Sequence, residues 1–325
     1  MNKIVVVGSS NIDMMAKVSH LPSCGETVCN AVFTHAVGGK GMNQAIAAAR
    51  LGGDVTFVTA LGNDHYADML SNMLHKEGIV TDYVIYDNEN PTGTALIYVS
   101  NSGDNCIAVA SGANSKLQPE LVHTFEKAIR QADIVLMQAE IPYSTIRSTA
   151  LLAHDLGKKV ILNLAPVCQV DSELLAAVDV LVVNEIEGAA VAGIPYSGDN
   201  LDEIIERLQL TGIRNIVVTA GSAGAYLLTP FTRIHVPSFK VNAVDTIAAG
   251  DTFCGALAVV FEGDYITEEN MRYANAASAI AVTRPGATTS IPDAGEVAQF
   301  IASQTTVTSI SNEKIEQNVK KTVAS

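Results

Sequence analysis

Short apolar runs alternating with amphipathic stretches set the rhythm of this chain. Ile4 to Val7 is a β-branched run closed by Gly8, the pattern of a strand buried on both faces. Val55 to Thr59 repeats that pattern, and Asp64 to Glu77 reads as a helix. From Glu120 the alternation becomes regular. Helix Glu120 to Arg130 precedes strand Ile134 to Met137, and helix Ser144 to Asp155 precedes strand Val160 to Leu164. Strand Val180 to Val183, helix Leu201 to Leu210 and strand Ile216 to Thr219 continue it, and a last helix covers Ala294 to Ala302. Helices alternating with short apolar strands predict an α/β fold, a parallel sheet sandwiched between helices on both faces.

Two segments break this rhythm. Asn11 to Val37 holds Pro22, Gly25 and short alternating runs such as Thr27 to Phe33, which suit exposed strands. Ala95 to Val99 and Cys106 to Val109 flank the turn Asn101-Ser102-Gly103-Asp104, a strong hairpin signal. Residues 11–37 and 92–112 are therefore expected to form a small β-sheet lid on a body spanning 1–302, with 303–325 a polar, loosely attached tail. Gly38 to Leu51 turns helical, and its alanines 45 and 47–49 predict a smooth, closely packing helix.

Composition narrows the function classes. A hydrophobic content of 48% indicates a sizeable core, and a net charge of −14 argues against general nucleic-acid binding. An anionic substrate would need backbone amides, a metal or a few placed cations. Five cysteines without a C-x-x-C suggest neither a disulfide framework nor a zinc site. The N-terminal apolar run is too short for a signal peptide, and no stretch reaches the ~18 apolar residues of a membrane span. A reducing cytoplasm is the expected compartment.

Candidate chemistry concentrates in Val241 to Leu257, V-N-A-V-D-T-I-A-A-G-D-T-F-C-G-A-L. Small residues Ala248, Ala249 and Gly250 lead into a helical pattern whose first N–H groups and dipole suit an anion. Asp251 stands where a carboxylate would repel that anion. It is either an N-cap or a base that takes a proton from a hydroxyl while the amides hold a phosphoryl group.

Gly38-Gly39-Lys40-Gly41-Met42-Asn43 opens the alanine-rich helix and fits neither G-x-G-x-x-G nor the Walker pattern. Its glycines either bring backbone to a ligand or make a tight turn. Asn11-Ile12-Asp13 follows the first strand, where ligands of parallel sheets gather, and with Lys40 and Asn43 would make a polar rim for sugar hydroxyls. The alternative for Asn11 and Asp13 is an Asx-turn. Asn184 and Glu187 follow the strand Val180 to Val183 and also satisfy a weakened capping box. Thr219-Ala220-Gly221-Ser222-Ala223-Gly224 follows another strand as a nucleotide loop or an ordinary turn.

G-G-K-G-M-N-Q-A-I-A-A-A-R-L-G and V-D-T-I-A-A-G-D-T-F, in this order, resemble the two signatures of the ribokinase-like carbohydrate kinases, and the resemblance runs from about Met1 to Ala302. It implies an ATP-dependent kinase acting on the 5-hydroxyl of ribose, with Asp251 as base and Ala248 to Gly250 as anion hole. Asn11, Ile12, Asp13, Gly39, Lys40, Gly41, Met42, Asn43 and Glu140 match sugar-binding positions. Asn184, Glu187, Thr219 to Gly224, Gly250 and Asn275 match nucleotide positions, Asn184 and Glu187 also organising Mg²⁺. Asp245, Ile247, Ala281, Arg284, Gly286 and Ser290 match positions that hold an activating K⁺, mostly through carbonyls. The resemblance also implies a homodimer formed through the lid. Met42 stands where many members have Ala, with an expected effect on rim packing; Ala248 replaces a frequent Gly, with none expected, because the N–H is retained. Another acceptor (deoxyribose, fructose, a nucleoside) and a ribose sensor without turnover are the rival readings.

Overall fold

The computed structural model describes residues 1–304. In chain order its elements are β1 (Lys3–Val7), β2 (Asn11–Val18), β3 (Val32–Gly38), α1 (Lys40–Arg50), β4 (Asp54–Gly62), α2 (His65–Lys76), β5 (Val80–Asp87), β6 (Gly93–Ser100) and β7 (Asn105–Ala110). Then come α3 (Val122–Gln131), β8 (Ile134–Gln138), α4 (Tyr143–Asp155), β9 (Lys159–Asn163), α5 (Ser172–Ala177), β10 (Val180–Asn184), α6 (Glu185–Ala192), α7 (Leu201–Gln209) and β11 (Asn215–Thr219). The chain continues with β12 (Ala225–Leu228), β13 (Arg233–Val236), α8 (Ala249–Val260) and α9 (Glu268–Ala281), and a final helix, α10, spans 294–304.

The large sheet has nine strands in the order β13-β12-β11-β10-β9-β8-β1-β4-β5. Along β1, Ile4 and Val6 join one buried cluster with Phe57 and Leu257, while Val5 and Val7 join another with Phe125 and Ile129. Both faces are thus covered, which is why these strands read as unbroken apolar runs. The sandwich is not wholly parallel: β12 and β13 form an antiparallel hairpin at one edge. The small sheet, ordered β3-β2-β6-β7, carries a parallel β2–β6 pair at its centre. The expected strand at Thr27 to Phe33 begins only at Val32; Gly25 and Asn30 have φ of 84° and 62°, which interrupts an extended run.

Three glycines let the layers meet. A Cβ on Gly255 of α8 would lie 2.6 Å from the Ala47 Cβ and 2.9 Å from the Ala48 backbone nitrogen, so α1 and α8 touch almost backbone to backbone. A Cβ on Gly41 would fall 2.5 Å from Ser9 N, and one on Gly8 1.9 Å from Gln138 Oε1. The small sheet is pinned to the body by Asn114, which donates to Ser10 O (3.1 Å) and Asn11 Oδ1 (2.8 Å) and accepts from Ser10 N (2.9 Å). No helix among the described residues is long and apolar enough to cross a membrane, and all five cysteines are free thiols. Residues 305–325, most of the expected tail, lie outside the described residues.

Candidate active site

A cavity of about 420 Å³ lies at the carboxyl ends of the central strands, floored by α1 and α8 and faced by the inner side of β6 and β7. Glu140 follows β8, Asn163 ends β9, Asn184 ends β10 and Thr219 ends β11, and all four line it. This is where parallel α/β sheets bind ligands, because the strand ends there leave loops and helix N-termini facing one crevice.

Asp251 sits in the first turn of α8, 6% exposed, at the bottom of this cavity. It is not an N-cap: Ala248 occupies that position, with no side-chain cap bond. Instead its Oδ2 accepts from Asn43 Nδ2 (2.9 Å) and its Oδ1 from Gln44 Nε2 (3.0 Å). Ala248 is held at φ 59°, a left-handed conformation uncommon outside glycine. Among the described residues no acceptor meets the N–H groups of Ala248, Gly250 or Asp251. A carboxylate therefore lies beside unpaired helix-start amides, the combination needed by a base working next to an anion.

The rim gathers Asn11, Asp13, Gly39, Lys40, Asn43 and Glu140. Gly39 has φ 91° and its Cα abuts the Ser10–Asn11 backbone, so only glycine fits there. Glu140 accepts from Lys40 N (3.0 Å) and Ser9 Oγ (2.6 Å), which places its charge on the N-terminus of α1. Burial pushes the Asp13 carboxyl up to about 7, reinforced by Glu140 and Asp251. The charge of Asp251 raises the Lys40 ammonium above its ordinary value, with Glu140 and Glu187 adding to it. Asn43 Oδ1 is buried without a hydrogen-bond partner, an acceptor free for a ligand donor. Three expected rim residues do not line the cavity. Ile12 and Met42 are fully buried in the core, because each neighbours a rim residue in a strand or helix that turns successive side chains to different sides. Met42 is thus a packing residue, and the expected effect on the rim does not arise from its side chain. Gly41 packs against Gly8 and Ser9 instead.

At the other end Asn184, Glu187 and Thr219 line the cavity together with Thr246 and Ile247. Asn184 and Glu187 do form the capping box, Glu187 N donating to Asn184 Oδ1 (2.8 Å) and Asn184 N to Glu187 Oε2 (2.9 Å). The box and the cavity position coexist, and burial raises the Glu187 carboxyl above its ordinary value. Ala220 to Gly224 and Asn275 stand just outside the lining. A Cβ on Gly224 would meet Val236 O at 2.2 Å, and Asn275 Nδ2 donates to that same carbonyl (3.1 Å), so loop and asparagine share one neighbourhood.

The residue 1–294 segment matches the model of the pfkB family of carbohydrate kinases. The chain belongs to that family. It is 36% identical over 299 residues to a ribokinase of Haemophilus influenzae, covering 92% of this chain and 98% of the relative. A Staphylococcus aureus ribokinase is 37% identical over 301 residues, covering 92% and 99%. The structure of Arabidopsis thaliana ribokinase complexed with ribose and ATP superposes with a TM-score of 0.84 at 33% identity, covering 92% of this chain and 98% of that one.

In this carbohydrate kinase the segments 244–247 and 281–290 lie together behind the helix-start amides. Asp245 Oδ1 accepts from Ile247 N (3.0 Å) and Oδ2 from Gly286 N (2.9 Å), while Val244 N and Asp245 N both reach Val282 O. Arg284 pairs with Glu296, and Ser290 Oγ donates to Ala287 O (2.7 Å). Among the described residues no group of three or more His, Cys, Asp or Glu is gathered for a metal. A cation here would rest on carbonyl and hydroxyl oxygens, which suit a hard monovalent ion.

Five functional neighbours escaped the sequence reading. Ser9, Gln44, Asn114, Gln138 and Asn163 are buried polar residues bonded to the kinase site. Gln44 lay within the quoted glycine-rich signature, so its position was available even though its partners were not.

Proposed function

We propose that this chain is an ATP-dependent sugar kinase that phosphorylates the 5-hydroxyl of D-ribose. The observation that carries the reading is Asp251, buried at the start of α8 beside unpaired amides and in the same cavity as a polar rim. Asn11, Asp13, Gly39, Asn43 and Glu140 hold the sugar, with the Asn43 Oδ1 acceptor meeting a hydroxyl. Asp251 takes the 5-hydroxyl proton, the oxygen attacks the γ-phosphorus, and the bond to the β-phosphate oxygen breaks, giving ribose 5-phosphate and ADP. The amides of Ala248 and Gly250 stabilise charge on the transferring group, the Ala249 N–H expected to join them being held instead by Thr246 O (3.3 Å), and the Lys40 ammonium offsets phosphate charge. Asn184, Glu187, Thr219 to Gly224 and Asn275 form the nucleotide end. Asn184 and Glu187 would help hold Mg²⁺, which would supply charge neutralisation. Oxygens of Asp245, Ile247, Ala281, Arg284, Gly286 and Ser290 would hold K⁺, which would shape the loop that carries the amides.

The small sheet acts as a lid that excludes water. The register puts Phe33, Leu96 and Tyr98 on its outer face, where they are 62%, 45% and 42% exposed. This exposed apolar face supports a two-fold dimer in which a second copy covers it. The catalytic unit is 1–302 in a reducing cytoplasm, consistent with free thiols. ATP consumption measured over pentoses, hexoses and nucleosides, in KCl against choline chloride, tests the reading. Preference for ribose with K⁺ activation is expected; turnover of another acceptor in preference, or none with any, would overturn it.

A further inference from the structure

Behind Asp251 runs a buried chain of side-chain amides, reaching the cavity wall at Asn163, that the phosphoryl-transfer scheme does not use. Gln44 on α1 and Gln138 at the end of β8 are both 0% exposed, and Asn163 at the end of β9 is 8% exposed. Gln44 Nε2 donates to Asp251 Oδ1 and to Asn163 Oδ1, each at 3.0 Å, so both its hydrogens are committed. Gln44 Oε1 accepts from Gln138 Nε2 at 2.8 Å, and Asn163 Nδ2 donates to Val182 O at 3.2 Å.

The far end of this chain sets its direction. A backbone carbonyl only accepts, so Val182 O requires the Asn163 amide nitrogen. Asn163 must then present its oxygen to Gln44, and Gln44 must present its nitrogen. Turning the Gln44 amide over would set its oxygen against two other oxygens, Asn163 Oδ1 and Asp251 Oδ1, and its nitrogen against the nitrogen of Gln138. Gln138 must in turn present its nitrogen to Gln44 Oε1, which puts its own oxygen against Gly8, where there is room only because no Cβ is present. That oxygen is buried without a partner, a cost of the arrangement that a packing role alone would not require.

We propose that Gln44 and Gln138 are positioning residues that commit Asp251 Oδ1 to accepting a hydrogen bond, leaving Oδ2 to take the proton from the acceptor hydroxyl. The proposal rests on Asp251 being the base. Each carboxylate oxygen accepts one amide donor, but the Gln44 amide is fixed by Asn163 whereas the Asn43 amide, whose own Oδ1 has no partner, can turn to accept from a protonated Oδ2. Oδ2 shares only Asn43, which itself lines the cavity.

Gln44→Met and Gln138→Met test this by steady-state kinetics with ribose and ATP. The expected result for Gln44→Met is a fall in kcat of about 10–100-fold, the scale of a hydrogen bond to a charged group, with both KM values within about twofold. Gln138→Met shows a smaller fall in kcat of the same sign. Far-UV dichroism and thermal melting establish which variants fold; if Gln44→Met does not, Gln138→Met carries the test. A folded variant with kcat within about twofold overturns the proposal, as does a raised KM at constant kcat. Loss of the fold in both variants would assign the amides to stability and overturn it equally. Asp251→Asn separates the two levels. If it retains activity, the base reading falls and takes the relay with it; if it is inactive while the glutamine variants match the parent, the relay alone falls.

Discussion

The floor of the cavity and its cover are built on opposite principles. On the floor, Asn43, Gln44, Gln138, Asn163 and Asp251 are at most 8% exposed and hold one another through hydrogen bonds between α1, α8 and the strand ends. On the cover, every residue of β7 is exposed, Ile107 at 55% and Val109 at 51%, although both line the cavity. Polar groups that must keep fixed geometry stand on rigid, close-packed elements, while the part that excludes water is apolar and thinly supported. Damage to the floor should therefore strike the chemical step, and damage to the cover should strike association.

The sharpest way to break this contrast is Asp251→Asn. Its expected effect is a loss of about 10²–10⁴ in kcat with sugar and ATP binding retained, measured by kinetics and calorimetry. A kcat within a few-fold of the parent would remove the chemistry from the floor. Asp13→Asn comes next and reads the electrostatic strain at the rim, where cover and floor meet. Because the folded protein raises the Asp13 carboxyl from 3.8 to about 7, the folded state binds that proton more tightly than the unfolded state. Its stability contribution is complete at low pH and is lost as pH rises through about 7. Asp13→Asn should thus match the parent near pH 4 and exceed it by roughly 1–3 kcal/mol at pH 8 in urea unfolding of the ligand-free protein. Equal stability at both pH values would show that Asp13 is not under this strain. Leu96→Lys gives the smallest local effect, within about 0.5 kcal/mol of monomer stability. Light scattering should nonetheless shift the mass from a dimer to the single-chain 34.2 kDa. A dimer that persists places the contact elsewhere than the outer face of the small sheet.

What the sequence made legible follows from how local each signal was. The parallel body was readable because its strands are buried on both faces and appear as uninterrupted apolar runs, as at Ile134–Gln138. The edges were not. β5 is only partly buried, and β12 and β13 are four residues each, too short for a period to emerge. Gly39 and Asp251 announced themselves because a glycine before a helix, or an acid in its first turn, is conspicuous within a few residues. Asn163 and Gln138 gave no such signal. They matter through partners 119 and 94 residues away in sequence, and an isolated buried amide looks like any other polar residue at a strand end. Ile12 and Met42 show the opposite error, a motif read as a continuous surface when its helix or strand sends alternate side chains into the core.

The attachment of the small sheet also has a mechanical consequence. β2 is eight residues long, so at about 3.3 Å per residue it reaches some 26 Å from its root at Asn11. That root is held by Asn114, whose amide grips Ser10 and Asn11 together, and by the Ser10 hydroxyl against Thr59 Oγ1 (2.9 Å). The sheet is a long arm on a short fulcrum: each degree of rotation at Asn11 carries the tip about half an ångström, by the same rise per residue. Since Asn11 is itself a rim residue, a shift there of a size that a single hydroxyl can cause would be felt at the far end as a displacement of whole side chains.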